Sequence, residues 1–225
     1  MLSLCDAHGY DGAMNPLLNA RWRNEPAHHE VTDDTVRIVT DPHTDLWQRT
    51  YYGFRSDNAP ALLLEHADNF TFTTRVQFAY RTQYDQCGLV IYLDSTTWCK
   101  ASVEYEDSNR SRLGSVVTNR GYSDWATTDV PTPSGVWYRL SRRGPDFLLE
   151  SSMDGDTYSQ MRVFHLESLG ETEPEMGTLD PPPPAERAVP FGVYACSPLD
   201  GSFEAVFDQL RLTTCRWMSH ATGLQ

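Results

Sequence analysis

The chain has 225 residues and is 40% apolar, which is enough to build the core of one large all-β domain. No apolar run reaches the roughly 20 residues that a membrane-spanning helix needs. Asp and Glu number 31 against 18 Lys and Arg, and the resulting formal charge of −13 repels phosphate backbones. We therefore expect no nucleic-acid partner and no membrane insertion.

The N-terminal segment and the cysteines indicate the compartment. Residues 1–10 lack the basic and apolar stretches of a secretory signal, which predicts a cytoplasmic protein. The five cysteines are widely spaced, with no CxxC and no Cys/His cluster, so we expect reduced structural thiols and no cofactor. Residues 1–18 are predicted to be a flexible N-terminus, residues 19–215 a single β-sandwich domain, and residues 216–225 a C-terminal tail.

Apolar and polar residues alternate repeatedly along the chain, which is typical of half-buried strands. Between residues 70 and 80 the even positions are mainly aromatic or aliphatic and the odd positions are mainly polar. Residues 87–93 are apolar on both faces, as in a central strand. Further strands are predicted at residues 35–40, 98–105, 112–119, 137–142, 147–152, 160–165, 191–196 and 203–212. Asp154 and Gly155 predict a hairpin turn, because such turns need positive φ.

About ten or more short strands separated by turn residues predict an all-β sandwich or jelly roll of antiparallel sheets. Residues 167–187 interrupt this pattern with a run of four prolines at 181–184. Proline donates no hydrogen bond to a sheet ladder and favours an extended path. We interpret residues 167–187 as a proline-rich surface loop, because strand patterns resume after it.

The strand predicted at residues 98–105 has two faces of different chemistry. One face suits the space between two sheets: Cys99, Ala101, Val103 and Tyr105. The other carries an aromatic ring, a cation, a hydroxyl and a carboxylate in a row: Trp98, Lys100, Ser102 and Glu104. We interpret this row as the floor of a ligand site. The alternative is a structural ion pair between Lys100 and Glu104 or a cross-strand neighbour.

Two segments near this strand place an aromatic ring beside a carboxylate, at residues 84–86 and 121–125. Aromatic faces with polar groups at the rim suit sugar rings. The alternative is that each segment is a turn whose aspartate caps backbone donors. The complete predicted ligand-binding group is Trp47, Tyr84, Asp85, Gln86, Trp98, Lys100, Glu104, Thr118, Tyr122, Asp124 and Trp125.

Catalytic and metal-binding patterns are weak in this sequence. It contains no GxSxG, no HExxH and no glycine-rich phosphate loop. His43 and Asp45 are too few ligands for a metal site. A glycan hydrolase or lyase would need a second carboxylate about 5–10 Å from Glu104, and Asp85 or Asp124 could supply it if their strands adjoin.

Several segments, in order, resemble the regulation-of-enolase-type family of concanavalin A-like proteins: residues 45–54, 84–89, 98–105, 115–118, 122–125, 152–155 and 195–198. The resemblance extends from about residue 19 to residue 212. It implies a two-sheet jelly roll whose concave face binds a carbohydrate, and a regulatory partner such as enolase. One departure counts against hydrolysis. Concanavalin A-like glycosidases carry an E-x-D-x-x-E strand, whereas Glu106 stands two residues after Glu104.

We therefore expect an intracellular, non-catalytic domain that binds a carbohydrate or another small polar ligand on one sheet face. The first alternative is a regulatory protein that binds a glycolytic enzyme such as enolase. The second is a hydrolase or lyase that acts on a glycan through Glu104 with Asp85 or Asp124.

Overall fold

A computed structural model describes residues 16–219 of the chain. Two seven-stranded antiparallel sheets and one two-stranded hairpin contain all of its strands. In chain order the strands are β1 (Arg21–Arg23), β2 (His28–Val31), β3 (Val36–Val39), β4 (Leu46–Gln48), β5 (Arg55–Asp57), β6 (Ala61–His66), β7 (Phe70–Phe78), β8 (Gln86–Asp94), β9 (Thr97–Asp107), β10 (Arg110–Asn119), β11 (Tyr122–Val130), β12 (Gly135–Arg143), β13 (Asp146–Ser152), β14 (Ser159–His165), β15 (Val189–Cys196) and β16 (Glu204–Thr214).

The two large sheets stack face to face as a jelly-roll sandwich, which confirms the predicted fold class. The front sheet has the strand order β1-β6-β15-β8-β9-β10-β11. The back sheet has the order β14-β13-β12-β7-β16-β3-β2. The third, small sheet is the β4–β5 hairpin.

The main core lies between the front and back sheets. Apolar and polar side chains alternate along β7 and β9, so the apolar face of each strand points into this core. Phe70 on β7 is fully buried and stacks on Phe191 of β15, with ring centroids 4.1 Å apart. Ala101 and Val103 of β9 belong to the same core. Burying such a side chain contributes about 1.5–3 kcal/mol. Tyr105, also predicted to be in this core, is half-buried at the end of β9.

A second apolar cluster lies on the outer face of the front sheet, under the β4–β5 hairpin. Trp98 is fully buried there, together with Val116 of β10 and Leu46 of β4. The backbone N–H of Gln48 donates to the Ser123 hydroxyl at 3.0 Å, which attaches β4 to β11. The hairpin therefore covers the end of the outer face that contains Trp98 and Val116, and a cleft lies open beside it.

Six strands were not predicted from the sequence: β1, β2, β4, β5, β6 and β11. Four of them are three or four residues long, too short to show alternation. Strand β6 contains the continuous apolar run Ala61 to Leu64. Strand β11 is an exposed edge strand that pairs with β10 along its whole length.

Residues 167–187 contain no strand, and they form a surface loop with a short helix α1 (Pro174–Thr178). The Arg143 guanidinium donates to the carbonyl of Met176 at 2.6 Å. The Asn69 side chain donates to the carbonyl of Pro183 at 2.7 Å.

No helix within residues 16–219 is long and apolar enough to cross a membrane.

Both chain ends make contacts with the sandwich where the structure describes them. Leu17, in a 3-10 turn (Pro16–Asn19), is buried in the main core, and residues 1–15 lie outside the described residues. The backbone N–H of Arg216 donates to the Thr71 hydroxyl at 2.8 Å, and residues 220–225 lie outside the described residues. Leu17 and Arg216 therefore both contact the sandwich.

Candidate binding cleft on the outer face of the front sheet

A cleft of about 590 Å³ opens on the outer face of the front sheet, beside the β4–β5 hairpin. Its volume falls within the roughly 300–1,000 Å³ that is typical of small-molecule sites. Strands β8, β9 and β10 form the floor, while the hairpin and β11 contribute aromatic side chains to the wall.

Strand register brings the polar residues of the floor together. Glu104 pairs with Gln86 on β8 and with Arg112 on β10. Alternate residues of a strand share one face, so Lys100 and Ser102 point to the same side as Glu104. One row of side chains across the floor therefore consists of the Gln86 amide, the Glu104 carboxylate and the Arg112 guanidinium.

The middle row of the floor is made of small residues, because Ser102 pairs with Gly88 on one side and Gly114 on the other. A Cβ at Gly88 would overlap the carbonyl oxygen of Ala101, and a Cβ at Gly114 would lie 2.7 Å from the carbonyl oxygen of Ala126. These two positions therefore exclude any larger residue. The centre of the floor stays open between Lys100 and Glu104.

Lys100 is a buried ammonium group at the base of the cleft. Its side chain is 5% exposed, and its Nζ lies 3.0 Å from Oδ1 of Asp45. Burial by itself lowers the pKa of Lys100, but the nearby carboxylates of Asp45 and Glu104 outweigh burial and raise it above its ordinary value. Within residues 16–219, this bond to Asp45 is the one hydrogen bond of Nζ. An ammonium group has three donors, so two of them remain for a ligand.

Glu104 is the carboxylate that faces the cleft from the other end of the floor. Its Oε2 accepts a hydrogen bond from Nε2 of Gln86 at 2.9 Å, and Oε1 of Gln86 accepts one from the hydroxyl of Tyr194 at 3.0 Å. Burial raises the pKa of Glu104 to about 7; the charge of Lys100 opposes this shift and that of Asp45 adds to it. Both protonation states are therefore populated near neutral pH.

The wall of the cleft is aromatic. Trp47 lies 5.5 Å from Tyr52 and 6.3 Å from Trp125 between ring centroids, and Tyr52 lies 5.7 Å from Phe54. Tyr52 is 55% exposed and Phe54 is 50% exposed. Exposed rings of this kind offer a flat apolar surface against which a ligand ring can pack.

The structure brings six of the predicted residues to the cleft: Trp47, Tyr84, Gln86, Lys100, Glu104 and Trp125. Trp98 and Thr118 are elsewhere, because both are fully buried beneath the hairpin and contribute nothing to the floor. The Thr118 hydroxyl instead shares a hydrogen bond of 2.8 Å with the hydroxyl of Ser123.

Asp85 is a structural cap, as the alternative interpretation proposed. It is fully buried, and its Oδ2 accepts hydrogen bonds from the backbone N–H groups of Arg81 and Thr82 at 3.0 and 2.9 Å. The Ser197 hydroxyl donates to its other oxygen at 2.7 Å. The carboxylate is therefore satisfied inside the protein and does not face Glu104.

Tyr122 and Asp124 do not line the cleft, and Asp124 instead borders a separate surface recess beside Trp47 and Trp125. The carboxylate of Asp124 forms an ion pair with Arg162 of β14. The guanidinium of Arg49 lies 5.0 Å from the centroid of the Tyr122 ring. Neither candidate partner therefore meets Glu104, and the carboxylate pair that the hydrolase or lyase alternative required is not formed.

Sequence reasoning missed several cleft residues, above all Asp45, Tyr52, Phe54, Glu106 and Arg112. The composition of residues 41–54 was a signal for the first three, since it is rich in aromatic and polar side chains. The ion pair between Arg112 and Glu106, at 2.7 Å, depends on the register of β9 and β10. Within the described part of the chain, no group of three or more His, Cys, Asp or Glu side chains is placed to hold a metal ion.

Residues 22–215 match the family described as "Protein of unknown function (DUF1349)". The chain belongs to this family. "Regulation of enolase protein 1" of Saccharomyces cerevisiae is 30% identical over 198 residues, which are 88% of this chain and 90% of the yeast protein. The resemblance seen in the sequence motifs is thus confirmed.

Solved structures support the same fold. A crystal structure described as a functionally unknown protein from Saccharomyces cerevisiae superposes with a TM-score of 0.74 at 30% identity, over 88% of this chain and 97% of that chain. The GH43 BlXynB protein from Bacillus licheniformis superposes with a TM-score of 0.58 at 16% identity, over 80% of this chain and 33% of that one. The second likeness concerns the sandwich fold alone.

Proposed function

We propose that this domain binds a carbohydrate or another small polar ligand in the cleft without transforming it. The observation that carries this proposal is the aromatic wall of Tyr52 and Phe54 standing over a polar floor of Lys100 and Glu104. Sugar rings need both surfaces, because their C–H faces pack on aromatic rings while their hydroxyls form hydrogen bonds.

The pairing of the charged side chains supports binding over catalysis. Asp45 is paired with Lys100, and Glu106 is paired with Arg112. Glu104 is thus a lone carboxylate, whereas general acid–base cleavage of a glycosidic bond uses two carboxyl groups that face each other across that bond.

Tryptophan fluorescence tests the proposal directly, because Trp47 and Trp125 line the cleft. The ligands to titrate are D-glucose, D-galactose, D-xylose, cellobiose and myo-inositol, with calorimetry on any that respond. We expect saturable binding that is weakened about fivefold or more by Phe54→Ala, since stacking on an aromatic ring contributes about 1 kcal/mol or more. Tyr122→Ala removes an equally exposed ring outside the cleft and should leave affinity unchanged. No saturable response to any of these compounds would contradict the proposal.

A second candidate function is regulation of a glycolytic enzyme such as enolase, and the name of the yeast relative favours it. The hairpin tip offers a contact surface, because Tyr51 is 92% exposed beside Tyr52. Surface plasmon resonance with purified enolase tests this candidate, together with enolase turnover measured with and without the domain. We expect saturable binding that Tyr51→Ala weakens and Met153→Ala does not. The absence of both binding and any change in turnover would exclude it.

We also propose a cytoplasmic location. Cys87, Cys99, Cys196 and Cys215 are all free thiols in the structure. Reduced cysteines are the normal state in a cytosolic redox environment. Fluorescence microscopy of the tagged full-length chain in its native host tests this location.

A further inference from the structure

Two side chains at the cleft floor have hydrogen-bond donors or acceptors that no other group of the described protein uses. Lys100 Nζ keeps two donors after its bond to Asp45. Glu104 Oε1 has no hydrogen-bond partner within residues 16–219, since Gln86 occupies Oε2. Lys100 is buried at the base of the cleft, whereas Glu104 is half-buried and faces it, so both groups are accessible to a ligand in the cleft. A ligand that bonds to both would use hydrogen-bonding capacity that the protein leaves free.

The distance between Lys100 and Glu104 suits a single sugar ring bound between their side chains. Lys100 and Glu104 are four residues apart on β9, so their Cα atoms are about 13 Å apart at the usual rise per residue. Their side chains shorten this gap, yet they form no ion pair within 4.0 Å among the described residues. Ser102 lies between them, with glycines on both neighbouring strands, so no bulky side chain fills the gap.

The charges that line the cleft cancel in pairs. Asp45 neutralises Lys100, and Glu106 neutralises Arg112. The two remaining charged groups are Glu104 and the solvent-exposed Arg55. The cleft therefore has no surplus of cations for an acidic ligand. The formal charge of −13 on the whole chain adds long-range repulsion of anions.

We propose that the ligand is an uncharged sugar, with one hydroxyl accepting a hydrogen bond from Lys100 Nζ and another donating to the Glu104 carboxylate. This inference rests on the proposed binding function and adds the chemical class of the ligand and the two residues that select it. The ring lies over Ser102 and packs on the side of Phe54. A uronic acid brings its carboxylate to a floor on which Glu104 is a carboxylate without a cationic partner and the cations Lys100 and Arg112 are already paired. Repulsion between the two carboxylates selects for the neutral sugar.

Matched pairs of sugars test the charge selection in the wild-type protein at pH 8. The pairs are D-glucose with D-glucuronate and D-galactose with D-galacturonate, titrated by calorimetry or by saturation-transfer NMR. We expect the neutral member of at least one pair to bind at least about tenfold more tightly than its acid, a ratio that corresponds to one hydrogen bond to a charged group or one close like-charge contact. The inference is overturned if, in both pairs, the uronate binds as tightly as its neutral partner.

Glu104→Gln tests the role of the carboxylate, and Glu65→Gln, an exposed carboxylate on β6 outside the cleft, is its matched control. We expect the first substitution to weaken the binding of the neutral sugar about tenfold and the second to leave it unchanged. Circular dichroism of both variants establishes that they are folded. Unchanged affinity in folded Glu104→Gln overturns the inference while the proposed binding function stands. If none of the four sugars nor the other titrated compounds binds the wild type, the proposed function and this inference both fail.

Discussion

Lys100 and Asp45 form an ion pair with Nζ 3.0 Å from Oδ1, although the two residues are 55 positions apart in the sequence. Asp45 immediately precedes β4, whereas Lys100 lies in the middle of the front sheet on β9. The side chains are 5% and 19% exposed for Lys100 and Asp45, respectively. The pair therefore attaches the aromatic hairpin to the sheet that it covers, and it positions the wall of the cleft over the floor.

Replacing Lys100 by Met leaves the Asp45 carboxylate half-enclosed without a counter-charge. Removal of one partner from a buried pair typically costs about 3–5 kcal/mol, and we expect about 3 kcal/mol here because Asp45 keeps some contact with water. Urea denaturation measures this loss in the free energy of unfolding. The double variant Lys100→Met/Asp45→Asn should recover at least half of it. Wild-type stability in the single variant would show that the pair does not hold the hairpin.

Glu104 makes stability depend on pH in a defined direction. Its pKa of about 7 in the folded protein is above its ordinary value of 4.5, so the folded state holds this proton more tightly than the unfolded chain. The resulting stabilisation is complete below pH 4.5 and is lost as the pH rises through about 7. Gln cannot ionise. We therefore expect the stability of Glu104→Gln relative to wild type to increase by about 2 kcal/mol between pH 5 and pH 8.

Urea denaturation of both proteins at the two pH values measures this change. Glu65→Gln is the matched control, because its carboxylate is exposed and should give the same stability difference at pH 5 and pH 8. If the difference between Glu104→Gln and wild type does not vary with pH, then Glu104 does not ionise with a raised pKa in the folded state.

The fold could be predicted from the sequence wherever a strand has one buried and one wet face. Strand β7 alternates over its full length, because Phe70, Phe72 and Val76 face the core. Strand β11 does not alternate, since most of its side chains are exposed at the sheet edge and burial places little constraint on their type. Edge strands depend on backbone pairing with a neighbour, and a single sequence does not specify that neighbour.

The candidate site was predictable in part for the same physical reason. Alternation along β9 correctly placed Lys100 and Glu104 on one face opposite the core. The same rule placed Trp98 beside them, yet the β4–β5 hairpin packs over it and closes that end of the face. The β4–β5 hairpin, which lies some 50 residues earlier in the sequence, thus covers Trp98 through a tertiary contact. Periodicity along one strand carries no information about it.

The buried carboxylate of Asp85 contributes to stability without taking part in binding. Asp85→Ala leaves the N–H groups of Arg81 and Thr82 and the hydroxyl of Ser197 without their acceptor. We expect a loss of about 3 kcal/mol in the free energy of unfolding, because unsatisfied buried donors cost about 1–3 kcal/mol each and water satisfies some of them. Asp156→Ala, in an exposed turn, is the control and should change stability by less than about 0.5 kcal/mol. Folded Asp85→Ala should bind ligand like wild type, and a specific loss of affinity would place Asp85 in the site.

Thiol reactivity separates the core cysteines from Cys215. Cys87, Cys99 and Cys196 are fully or almost fully buried, whereas Cys215 is half-buried and donates a hydrogen bond from Sγ to the Trp217 carbonyl at 3.7 Å. Burial raises the pKa of all four thiols, so none is activated as a thiolate, and access decides their rates. In a Cys5→Ser background at pH 8, Ellman's reagent should modify Cys215 in the native protein and the other three thiols only after guanidinium unfolding. Adding Cys215→Ser should abolish the native reaction, and rapid native labelling of a further thiol would show that the sandwich core opens.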